Sequence, residues 1–189
     1  MKNNITALSA VALMLATTGV AYASDGTITF TGAVVASTCK VNGGTGDLAV
    51  ALPHVATNQL TSTGQTAGRT PFTLSLSGCT SPVDAEGKPV ANVPTKVAVV
   101  FEPGPNVNLT TGRLKPTGTG AAANIEVGIQ TDGYKDIKIG ADAASQGAQS
   151  ATIGKDGNAT LQYAAQYYAT GASTAGPVTT SVTYSVIYP

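Results

Sequence analysis

The sequence predicts an all-β protein built as a sandwich of short strands. Three observations carry that prediction. Apolar side chains recur at every second position in eight separate runs. Turn signals separate the runs, and the 189 residues include 22 Gly and 10 Pro. No stretch sustains the 3.6-residue period of an amphipathic helix.

Near the N-terminus, Ile28, Phe30, Gly32, Val34 and Ala36 share one face. Leu48, Val50 and Leu52 form a second run. Residues 59–68 are polar and read as loop. Phe72, Leu74 and Leu76 form the third run, set against Thr73, Ser75 and Ser77. Val97, Val99 and Phe101 form the fourth, and Ile125, Val127 and Ile129 the fifth. Ile137 and Ile139 suggest a short sixth. Leu161, Tyr163, Ala165 and Tyr167 form the seventh. The last is the most regular: Val178, Thr180, Val182, Tyr184, Val186 and Tyr188 alternate with Thr179, Ser181, Thr183 and Ser185. Asn42-Gly43-Gly44, Pro103-Gly104-Pro105, Thr131-Asp132-Gly133 and Lys155-Asp156-Gly157-Asn158 supply turn chemistry between them. A regular third run would place Cys79 on its polar register, unless Gly78 re-aims the chain.

The first 23 residues read as an address. Lys2 precedes an apolar run from Ala7 to Val20, and Ala21-Tyr22-Ala23 is a small-residue cleavage site. This is the pattern of a secretory signal peptide, and the run is too short and too diluted to span a membrane. Cleavage after Ala23 leaves Ser24 to Pro189, with no span in the mature chain. Cys39 and Cys79 are the only cysteines, and in an oxidising compartment an even pair forms a disulfide.

Composition excludes several functions. Ten basic and ten acidic side chains cancel, and charged residues are only 11% of the chain. No basic excess is present to neutralise phosphates, so nucleic acid is not an expected partner. His54 is the single histidine and stands among loop residues, without catalytic or metal-ligand company. Asp132 and Asp136 flank a Gly and read as turn chemistry rather than a catalytic carboxylate pair. Asp156-Gly157-Asn158 lacks the spacing of a calcium loop. Tyr163, Tyr167 and Tyr168 suit a sandwich core and rim, or a sugar site. No catalytic residue, metal or cofactor is expected, and the chain does not read as an enzyme.

Several features together resemble one family. Gly26-Thr27-Ile28-Thr29-Phe30-Thr31-Gly32-Ala33-Val34-Val35 leads towards Cys39, and Cys79 follows at a family-like separation. Gln166-Tyr167-Tyr168-Ala169-Thr170-Gly171-Ala172 precedes the last run. Gly176 is fourteenth from the C-terminus, and Tyr188 is penultimate. The chain resembles the pilin subunits of chaperone–usher fimbriae, among them type 1 major subunits.

The resemblance implies an incomplete immunoglobulin-like sandwich (the pilin fold) whose missing strand leaves a hydrophobic groove. It implies three segments: a signal peptide over 1–23, a donor-strand extension over 24–38 and a pilin domain over 39–189. Ile28, Phe30, Gly32, Val34 and Ala36 would be the plugs of the donor strand. Gly176, Val182, Tyr184, Val186 and Tyr188 would mark the acceptor edge, first paired with a periplasmic chaperone. The implied partners are copies of itself or sibling pilins, that chaperone and an outer-membrane usher. The implied place is a cell-surface fimbrium, reached through the periplasm, and the implied role is structural, supporting adhesion.

The extension ahead of Gly26 is only Ser24 and Asp25, which leaves bulk, adaptor and terminator subunit open. A mature chain of this length has no expected room for an added adhesin domain. A monomeric secreted β-sandwich that binds carbohydrate is the alternative of a different class.

Overall fold

The computed structural model describes residues 28–31, 39–79, 86 and 94–189. The chain divides into two units, Met1–Val34 and Val35–Pro189. In the first, residues 28–31 form no strand, and Ile28 and Phe30 are 80% and 90% exposed. The alternation expected to make a strand there has no ladder over these residues. The signal peptide and Gly32, Val34 and Ala36 lie outside the described residues.

Among its described residues the second unit is strand, turn and irregular chain, with two 3₁₀ turns at Asn42–Gly44 and Thr57–Gln59. Its strands are β1 (Lys40–Val41), β2 (Thr66–Ser77), β3 (Lys96–Phe101), β4 (Val107–Asn108) and β5 (Arg113–Leu114). They continue with β6 (Ile125–Thr131), β7 (Ser150–Thr152), β8 (Ala159–Ala169) and β9 (Tyr184–Ile187). One sheet has the order β1-β2-β8-β6-β5-β4, the other β7-β3-β9. Every pairing is antiparallel.

The long strands follow the alternation in the sequence. On β2, Leu74 and Leu76 are buried while Thr73 and Ser75 are exposed. On β8, Leu161, Tyr163, Ala165, Tyr167 and Ala169 join the core, where they meet Val97, Val99 and Phe101 of β3. Tyr163 stacks on Phe72 at 5.5 Å and meets Phe101 edge-on at 5.4 Å, both favoured ring arrangements. β6 is buried along its whole length. On its polar face Glu126 accepts from Asn108 Nδ2 at 2.6 Å and Thr111 Oγ1 at 2.9 Å, which offsets the cost of burying the carboxylate.

Cys39 and Cys79 are disulfide-bonded. β2 ends at Ser77, and Gly78 takes a left-handed φ of 64°, so the chain turns and the Cys79 side chain is buried. The Cys79 N–H donates to Gly157 O at 2.8 Å. Closing the 40-residue separation removes about 4 kcal/mol of unfolded-chain entropy in the loop-closure picture.

Four expectations are corrected. Leu48, Val50 and Leu52 lie on extended chain outside any ladder. Ile137 and Ile139 are buried, but only a single bridge, Gln130 with Asp136, adjoins them. Their alternation reflects an extended segment packed on the core, not a strand. The last run is a strand only over Tyr184–Ile187, where β3 faces it. The segment read as loop over 59–68 ends early, because β2 already begins at Thr66 and pairs with Tyr168.

Candidate functional site: an open groove between two extended segments

Two of the corrected segments, residues 48–52 and the last run, are the sides of one feature. A groove of about 750 Å³ runs between residues 46–52 and residues 178–184. Its floor is apolar and includes Leu74, Phe101, Leu114, Val127, Ile129 and Tyr167.

Backbone hydrogen bonds show which edge of the second rim is free. The carbonyls of Thr179 and Thr183 accept from Thr117 N at 2.8 Å and Glu102 N at 2.9 Å. The Ser181 carbonyl accepts from Asn106 Nδ2 at 3.2 Å. In extended chain, successive residues turn their peptide groups to opposite edges. The N–H and C=O groups of Val178, Thr180 and Val182 therefore face the groove, and among the described residues none has a backbone partner. Their side chains, with Tyr184, Val186 and Tyr188, are half-buried, while Thr179, Ser181, Thr183 and Ser185 are exposed. This is an edge with one face on the core and no backbone partner among the described residues.

The first rim is bare in the same way. Residues 48–55 make no backbone hydrogen bond among the described residues. Leu48 is exposed, and Leu52 packs only partly against the core. An unpaired edge of this kind is a template for another strand, and the apolar floor adds a hydrophobic drive.

The groove closes at one end. The Tyr184 hydroxyl donates to the Gly46 carbonyl. Burial first, and the Asp47 carboxylate second, push the Tyr184 hydroxyl above its usual range, so it stays a protonated donor. At the other end Gly176 crosses the 120–122 loop. A Cβ there would lie 2.6 Å from Ala122 N and Gly120 O, and Ala122 N donates to Pro177 O at 3.0 Å. Gly176 thus permits a close backbone approach that sets where the rim begins.

The structure brings Val182 and Tyr184 into the groove lining and places Val186 and Tyr188 further along the same strand face. Gln146 was not legible in the sequence. It is 1% exposed, in a loop segment with no periodic pattern, and its amide hydrogen-bonds the backbone of Phe101 in the groove floor. His54 is exposed. Asp132 caps its own turn by accepting from Gly133 N at 2.7 Å. Among the described residues no His, Cys, Asp and Glu cluster could hold a metal. No helix among them is long and apolar enough to cross a membrane. The site's chemistry is that of main-chain pairing and apolar burial.

A two-sheet sandwich with a groove edge unpaired among the described residues defines the class: an immunoglobulin-like subunit with an open groove. The family model described as FimA, type-1 fimbrial protein A, matches residues 52–189. The chain is 42% identical to an F17 fimbrial protein of Escherichia coli over 93% of this chain and 94% of that one. It is 41% identical to the major fimbrial subunit SMF-1 of Stenotrophomonas maltophilia, covering 89% and 95%. The fold is similar to the P pilus rod subunit PapA, with a TM-score of 0.58 at 18% identity, covering 81% of this chain and all of that one. A subunit of a chaperone–usher pilus gives a TM-score of 0.57 at 22% identity, covering 88% and 96%. The chain belongs to the type-1 fimbrial protein family, whose members are structural subunits of cell-surface fimbriae.

Proposed function

We propose that the chain polymerises by donor-strand exchange, each subunit's groove taking the N-terminal extension of another. The single observation that carries this reading is the unpaired even-numbered edge of Val178, Thr180 and Val182 above an apolar floor. Chaperone–pilin donor-strand complementation is one of the known forms of β-strand addition, in which main-chain hydrogen bonds give affinity and alternate side chains give specificity.

The donor is residues 24–38, with Ile28, Phe30, Gly32, Val34 and Ala36 as plugs. Ile28 and Phe30 are large apolar side chains left uncovered in the single chain, as plugs awaiting a groove would be. Burying about four such side chains contributes roughly 6–12 kcal/mol before ordering costs, enough for a tight joint. A periplasmic chaperone first pairs with the edge running through Val182, Tyr184, Val186 and Tyr188. An outer-membrane usher then exchanges that strand for the next subunit's extension. The product is a fimbrial fibre that supports adhesion. The signal peptide over 1–23 and the pilin domain over 39–189 complete the organisation.

A synthetic peptide of residues 24–38 tests this. Added to the purified subunit, it should bind and halt chain growth, while the same peptide carrying Gly32→Trp should do neither. Equal binding by both peptides refutes the plug assignment.

A further inference from the structure

We propose that Tyr184 is a latch across the groove, its hydroxyl on the Gly46 carbonyl tying one rim to the other and governing how fast a strand enters. This rests on the donor-strand reading above and concerns the same groove.

Both ends of the tie are anchored, on different sheets. Tyr184 opens β9 and faces Phe101 of β3. Gly46 sits in the turn after β1, where its N–H donates to Val41 O at 3.2 Å and Val41 pairs with Leu76 of β2. That turn is pinned in turn by Asn42, whose Oδ1 accepts from Ser75 N at 3.2 Å. The acceptor carbonyl is therefore fixed to the larger sheet and the donor hydroxyl to the smaller one. Among the described residues this is the one hydrogen bond between residues 46–52 and residues 178–184.

A strand seated between the rims needs about 4.8 Å on each side, which holds them roughly 10 Å apart. Its inward side chains occupy the space that the Tyr184 ring crosses to reach Gly46. Full seating therefore requires the hydroxyl to leave the carbonyl and the ring to turn aside. The bond exists in the empty groove and is absent from the filled one, so it opposes entry without holding the strand once seated.

The test compares the full chain with its Tyr184→Phe variant, using a fluorescent peptide of residues 24–38. Losing one hydrogen bond from the empty state should raise the association rate about 2- to 10-fold. The dissociation rate should be unchanged. Equal association rates overturn the latch alone. If neither protein takes up the peptide, the groove reading itself falls, and the latch with it. Should Tyr184→Phe fail to fold, the chain carrying 3-fluorotyrosine at position 184 reports the same step. Its fluorine resonance shifts on peptide binding if the hydroxyl leaves Gly46, and an unmoved resonance overturns the latch.

Discussion

The Gln146 carboxamide pairs with the backbone of Phe101 as a neighbouring strand would. Its Oε1 accepts from Phe101 N at 2.7 Å and its Nε2 donates to Phe101 O at 2.8 Å. A third bond runs from Nε2 to Ala141 O at 3.1 Å. β7 covers β3 only from Lys96 to Ala98. Beyond it Phe101 O also accepts from Gly140 N at 3.1 Å, while Phe101 N has the Gln146 amide as its partner. One side chain thus stands in for strand at the end of β3 and fixes a floor residue of the groove.

Gln146→Ala should destabilise the subunit strongly, because it leaves the buried Phe101 N–H without its partner and removes one of the two donors to Phe101 O. A loss of about 3 kcal/mol is expected, or roughly 6–12 °C in Tm for a domain of this size. Thermal unfolding of the subunit measures it. A shift under 2 °C would show that the pairing contributes little.

Gly176→Ala should also destabilise, for a steric reason. The new methyl carbon meets backbone atoms of residues 120–122 rather than a flexible side chain, so either the loop or the rim must move. The expected cost is about 1–3 kcal/mol, as for overpacking elsewhere. An unchanged denaturant midpoint would contradict the close approach.

Tyr163→Phe should be neutral or slightly stabilising. The Tyr163 hydroxyl is buried and has no hydrogen-bond partner among the described residues, so removing it relieves a desolvated polar group. Burial, with Asp132 adding to it, pushes this hydroxyl well above the usual tyrosine range, and burial also raises Tyr167. In the unfolded chain these groups ionise near pH 10. A group whose folded pKa is raised contributes full stability below the unfolded value and loses it as pH rises towards the folded one. Stability should therefore fall above about pH 10, and Tyr163→Phe should flatten that decline. Denaturant melts at pH 8 and pH 11 check both. An equally steep decline in the variant would contradict the assignment to Tyr163.

The long strands were legible because burial on one face imposes a period of two over many residues, as Leu161 to Tyr167 shows. Alternation reports a buried face, however, and not a ladder. Leu48, Val50 and Leu52 alternate because they border a groove. Ile137 and Ile139 alternate because they pack on the core. β1, β4, β5 and β7 span two or three residues each, too short to show any period. The free edge was legible only in part, since unpaired peptide groups leave no mark on side-chain identity. Gln146 left none either: a glutamine in a Gly- and Ala-rich loop reads as surface until its amide is seen on Phe101.

Donor-strand exchange is tested most directly by the size of the particles the subunit forms. Fimbrial material should be run on denaturing gels with and without boiling. The account predicts a ladder at multiples of the mature mass in unboiled samples, collapsing to one band on boiling. A single monomer band in unboiled samples, with no chaperone copurifying, would contradict it and mean that the groove is filled within one chain.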